Sequence, residues 1–224
     1  MAHAFFLGVD FHASDGTSSG AVFSLLEKEE NPDDEAPRYR LDHIRHVEEL
    51  DDIEALAEHL QGMVSDQPYI GRTSLIVNRG HSAGNALVDA LRDRGLDPVA
   101  ATLTTGSGAA AGGRDEVGVQ LGSSDAVRAL VEFYREGRFA VEEHSRAATS
   151  RLARAIQHAF EVLDEADGDE ASGEPQPDRA VVQEADPHLT SAALAAWLGR
   201  ERSFDPSQHL KEAPQTDRSR GAGQ

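Results

Sequence analysis

Cysteine is absent from the chain, which removes disulfides, zinc–thiolate centres and thiol nucleophiles from consideration. Lysine occurs only at Lys28 and Lys211. Neither lies in a glycine loop, so there is no G-x-x-x-x-G-K-[ST] phosphate cradle and no ATPase chemistry of that kind. No apolar run is long enough to span a bilayer, and the N-terminus lacks the basic region and apolar stretch of a signal peptide. The expectation is a cytoplasmic protein with no membrane partner.

Negative charge, by contrast, is plentiful: 40 Asp and Glu stand against 21 Lys and Arg, for a net charge of −19 over 224 residues. At molar salt the Debye length shrinks to ~3 Å, so a carboxylate-rich surface no longer repels itself. Adaptation to a concentrated-salt cytoplasm is the reading preferred here. An acidic interaction surface, or a compositional bias towards Asp, Glu, Ala and Arg, are the alternatives. The charge is also uneven. Residues 1–70 carry 16 acids and 4 bases, residues 71–160 carry 10 and 11, and residues 161–224 carry 14 and 6. A polyanion would therefore approach the middle third first.

The segment from Thr73 to Gly108 organises the chain. A β-branched run ends at the turn Asn78-Arg79-Gly80-His81-Ser82, and Ala83, Ala86, Leu87, Ala90 and Leu91 then lay one apolar stripe on a helix begun by Ser82. Gly95 closes that helix and Pro98 opens a strand to Leu103. Two parallel strands with a covered face follow from such a βαβ unit. Ligands of open parallel sheets gather at the carboxyl ends of the strands, which here means Asn78.

Before this unit, Ala4–Phe11 with its one acid Asp10, Ala21–Leu26 and roughly 38–47 read as a three-stranded antiparallel meander, and a helix follows over about 51–64. After it, Thr104–Gly113 is a small-residue loop without periodicity. Val117–Leu121 and Phe139–Val141 are short extended pieces. Helices are expected from Ser123 or Ser124 and over about 147–165. Residues 167–178 read as a flexible acidic loop, and Val181 and Val182 as a last short strand. Asp186 caps a helix with Pro187 in its first position, and that helix is apolar nearly all round, hence buried. Residues 1–200 form one domain, and 201–224 read as a polar tail.

The order of these elements resembles the ribonuclease H-like fold: an α/β architecture with a mixed five-stranded sheet, three antiparallel meander strands plus two parallel strands, flanked by helices. In detail the chain is similar to the nuclease domain of phage terminase large subunits over about residues 4–199. LGVDFHASDGTSSGAVFSLLE resembles that family's first hairpin and YRLDHIRHVEEL its third strand. LIVNRGHSAGNALVDALRDRGLDPVAATLTTGSG resembles its strand-D-x-T-G-x-G-helix segment. VGVQLGSSDAVRALVEFYREGRFAVEEH and DPHLTSAALAAWLG resemble its later helix–strand piece and its closing helix.

The resemblance implies three acids holding two divalent metals, Mg2+ or Mn2+, that cleave double-stranded DNA, with a separate packaging ATPase or portal-type proteins as partners. Asp10 matches the first acid. Asn78 stands where the second is expected, keeping a carbonyl oxygen and losing the charge. At the third, the sequence reads Asp186-Pro187-His188, with His188 or Asp186 as the candidate ligand. Asp10, Asn78 and His188 are thus the candidate catalytic residues, and Asp10, Asn78, Asp186 and His188 the candidate metal set. The expectation is a terminase-like protein with weak or lost cleavage. An active two-metal endonuclease using Asp10 with His188 or Asp186 is the alternative. A nucleotide-binding protein of the actin and sugar-kinase class, suggested by Asp15-Gly16-Thr17, is disfavoured because such proteins close two domains on a nucleotide. A histidine-rich metal site built on His12 and His81 is a further, weaker reading, since its spacing matches no ligand signature.

Overall fold

The structure, a computed structural model, describes residues 2–13, 19–30, 36–104, 109–111, 118–141, 146–168 and 186–202. Its centre is β1 (Ala2–Ala13), whose residues alternate between two cores. Phe5, Leu7, Val9 and Phe11 pack into one, and Ala4 and Phe6 into the other. A strand buried on both faces needs helices on both. α1 (Ile53–Ser65) and α2 (Ser82–Asp93) cover the first face. α3 (Ser123–Arg135), α4 (Arg146–Gly168) and α5 (Pro187–Glu201) cover the second.

The remaining strands are β2 (Ser19–Glu30), β3 (Arg38–Val47), β4 (Thr73–Asn78), β5 (Val99–Thr104), β6 (Ala109–Ala111), β7 (Val119–Gly122) and β8 (Phe139–Val141). They form one mixed sheet in the order β6-β7-β5-β4-β1-β2-β3-β8. β2 runs antiparallel to β1 and β3, and β6 antiparallel to β7; the other pairings are parallel. β1, β3, β4 and β5 therefore end at the same edge of the sheet.

The expected α/β class and meander are present, but among the described residues the sheet has eight strands rather than five. The additions are β6, β7 and β8. β7 and β8 were readable as extended pieces, yet nothing in three or four residues says which edge they join. β6 is three alanines within the small-residue loop, where no alternation exists to detect; pairing with β7 makes it a strand. Two helix starts also differ. His81, not Ser82, is the N-cap of α2, its Nδ1 accepting from the Ala83 amide at 3.2 Å. Gly122 caps α3 with no side-chain bond, and Ser123 donates instead to the Thr104 carbonyl at 2.9 Å.

α5 is the buried helix the composition called for: every residue from His188 to Gly199 is buried. It lies on β1 and β2 at backbone contact. A Cβ on Gly8 would collide with the Ser191 carbonyl and lie 2.9 Å from the Ala195 nitrogen, so only glycine admits the helix there. The turn at Asp15-Gly16-Thr17, residues 169–178 of the acidic loop, the Val181–Val182 strand and residues 203–224 of the tail lie outside the described residues. Asp167 and Gly168, placed in that loop by the sequence, are the last turn of α4. Among the described residues, no helix is long and apolar enough to cross a membrane.

Candidate functional site

The ladder between β1 and β4 ends at the pair Val9/Val77. One residue on, Asp10 and Asn78 face each other across two parallel strands, and Asn78 Nδ2 donates to Asp10 Oδ1 at 2.7 Å. The other end of the Asn78 amide is also engaged: Oδ1 accepts from the Gly80 amide at 3.0 Å, an Asx turn that fixes the strand-to-helix corner. Asp10 is 6% exposed. Burial pushes its carboxyl up from 3.8 to about 6, against hydrogen bonds from Asn78, the Phe11 backbone and the Thr190 hydroxyl that favour the charged form.

Thr190, in the first turns of α5, lies near enough to Asp10 to favour its charged form, and sequence reasoning passed over it. Its signal was only positional: it sits on the closing helix two residues after His188, and a threonine draws no attention beside an acid or a histidine. Asp186 caps α5 as expected, Oδ1 accepting from the His188 amide at 2.9 Å. The same oxygen lies 2.7 Å from His188 Nδ1. His188 is 2% exposed, and its ring meets that of His46 edge-on with centroids 5.1 Å apart.

His46 was not singled out from the sequence. The register explains its position: Asp10 pairs with Val22, and Val22 with His46, so the three form one row on one face. His12 stands two residues beyond Asp10 on the same face. Its cross-strand partner is Gly20, and a Cβ there would overlap the His12 ring. The missing side chain lets His12 lie across β2 and bring its Nε2 to 3.1 Å from His46 Nε2. Burial lowers the pKa of both rings, helped by the positive charge their neighbours would carry. His81 belongs to the opposite face, stacked on Phe11 at 6.3 Å, and does not join them.

A polar strip therefore runs along the carboxyl edge of the sheet, from Asn78 through Asp10 to His46 and His12, beneath Thr190, His188 and Asp186 of α5. Magnesium prefers several anionic oxygens in an octahedron. The Asp10 end offers one carboxylate that holds its proton more tightly than usual, one amide with both ends occupied and one hydroxyl, which does not fit a two-magnesium centre. Among the described residues, the one group of three ligand-type side chains with atoms all within 4.8 Å of one another is His3, Glu27 and Glu29. It lies at the other end of β1, where Glu27 is already bound by Arg40 and by His3 Nδ1, the latter at 2.6 Å. That is a satisfied ion-pair network rather than an open donor set. Searches for kinship match this chain to no family of known proteins, no curated protein and no solved structure.

Proposed function

We propose that the chain is a ribonuclease H-like domain of the terminase nuclease class in which metal-dependent DNA cleavage is weak or lost, kept as a structural or DNA-binding part of a phage or prophage packaging assembly. The strand order β5-β4-β1-β2-β3, with β2 alone antiparallel, supports the fold assignment. So does the acid on the central strand, placed beside the strand that follows the first helix. The near-neutral middle third, in a chain otherwise strongly acidic, supports double-stranded DNA as the ligand to test first. A packaging ATPase or portal-type protein is the partner this reading calls for, since the chain carries no phosphate cradle of its own.

The observation that carries the loss of cleavage is the Asn78–Asp10 hydrogen bond. Two-metal hydrolysis depends on carboxylates that share ions and balance their charge. Here the residue beside Asp10 is an amide that donates to it, where such a centre would need a second carboxylate. The test is plasmid cleavage with Mg2+ or Mn2+, at low and at molar KCl, alongside a gel-shift titration with duplex DNA. No more than weak nicking is expected. Robust magnesium-dependent cutting that vanishes in Asp10→Ala would overturn this reading in favour of an active endonuclease using His188 or Asp186.

A further inference from the structure

We propose that His12, His46 and His188 form a binding site for one first-row transition-metal ion of the Zn2+, Co2+ or Ni2+ type, separate from the Asp10–Asn78 pair. Three neutral imidazoles are borderline-soft donors and suit these ions rather than magnesium.

The geometry of the first two histidines is already that of neighbouring ligands. Nitrogens bound to one tetrahedral ion at ~2.0–2.1 Å sit ~3.3–3.4 Å apart, and His12 Nε2 and His46 Nε2 are 3.1 Å apart. Without an ion the two Nε2 atoms share one hydrogen bond, and an ion between them would take its place. Gly20 supplies the space that makes the approach feasible.

His188 completes the set through its orientation. Asp186 Oδ1 sits 2.7 Å from His188 Nδ1, which places the proton on Nδ1 and leaves the Nε2 lone pair free. Carboxylate-held histidines of this kind are the usual support of metal-bound imidazoles. The His188 and His46 rings stand edge to face at 5.1 Å, and the three nitrogens are not all within 4.8 Å of one another. Closing the site asks for a side-chain shift that brings His188 Nε2 to the existing His12–His46 pair. Arg151 of α4 flanks His46 and opposes a cation, while Glu48 and Asp186 favour one. A fourth coordination position would face solvent, since neither His12 nor His46 is fully buried.

The test is titration of the chelator-treated full chain with Co2+, read by visible d–d absorption, followed by competition with Zn2+. One Co2+ per chain with a four-coordinate spectrum is expected, displaced by Zn2+. His46→Gln should weaken binding at least tenfold, and Asp186→Asn roughly ten- to a hundredfold through loss of the supporting carboxylate. His59→Gln, which changes an exposed histidine, should leave the titration as it was. Circular dichroism of each variant separates ligand loss from unfolding. No d–d spectrum, or equal affinity in His46→Gln, overturns the proposal. Loss of binding in His3→Gln overturns it too, by assigning the ion to the Glu27 cluster. Because the readout is binding alone, it can fail while the cleavage reading stands, and the reverse.

Discussion

Asn78 gives its amide proton to Asp10 at 2.7 Å, and with that bond a strand-end carboxylate becomes part of a closed hydrogen-bonded corner. Asp10 then depends on protein donors for most of its solvation, and its raised proton affinity records how incompletely they replace water.

The folded-state pKa of Asp10 is about 6 against 3.8 unfolded. Between these values the folded chain keeps a proton that the unfolded chain has released. The folded state binds more protons there, so this group's contribution to stability falls as pH rises from 3.8 to 6 and stays low above it. Two units correspond to up to about 3 kcal/mol. Asp10→Asn keeps the acceptor for Asn78 and removes the charge. It should stabilise the chain at neutral pH by up to that amount, with the gain fading near pH ~4. Urea unfolding at both pH values checks this; a gain that does not change with pH, or a loss at neutral pH, refutes it.

Adding carboxylates beside Asp10 should raise metal affinity. Manganese should support more nicking than magnesium in the unmodified chain, because it accepts nitrogen ligands more readily. Asn78→Asp adds a second charge next to Asp10. For the third, Thr190→Asp should do better than His188→Asp, because Thr190 acts on the Asp10 carboxyl while His188 is turned to Asp186 and His46. Mn2+ calorimetry and plasmid nicking rank the pairs, and Asp10→Ala should abolish whatever activity is recovered. Equal affinity in both pairs would remove Thr190 from this role.

A buried hydroxyl relay joins β2 to α5. Ser24 Oγ lies 2.7 Å from Ser191 Oγ, and Ser191 donates on to the His188 carbonyl at 3.2 Å. Ser191→Ala strands the Ser24 hydroxyl and should cost about 1–3 kcal/mol, whereas Ser24→Ala leaves Ser191 its carbonyl acceptor and should cost about 1 kcal/mol or less. In the Ser191→Ala background, adding Ser24→Ala should be close to neutral. Equal and additive losses would mean that the relay carries no coupling.

Salt should stabilise the chain. A net charge of −19 repels itself at low ionic strength, and molar KCl screens it. The melting temperature should rise steadily from low to molar KCl. A flat or falling curve would identify an ordinary acidic surface instead.

The sheet centre was readable because its residues carry strong local signals. Asp10 on an apolar run, the Asn78-Arg79-Gly80 turn and the stripe from Ala83 to Leu91 could hardly be arranged otherwise. Asp186 before Pro187 announced its cap, and the all-round apolarity of Leu189–Leu198 announced a buried helix. The failures lie where pairing or distance decides. Three alanines at 109–111 have no pattern of their own. His46 is separated from Asp10 by a whole strand, and only the β1-β2-β3 register puts them in one row. Thr190 took its place through the height of α5 above the sheet, which no periodicity encodes.

That height is set by Gly8. With the helix backbone resting on the strand, Thr190 is held close to Asp10. Positions 8 and 190 are therefore complementary in size: a methyl group at 8 would raise the helix, and a longer hydrogen-bonding residue at 190, such as glutamine, would be needed to touch Asp10 again. The chain has in effect traded reach for closeness, and sequence change at one position should drag the other with it.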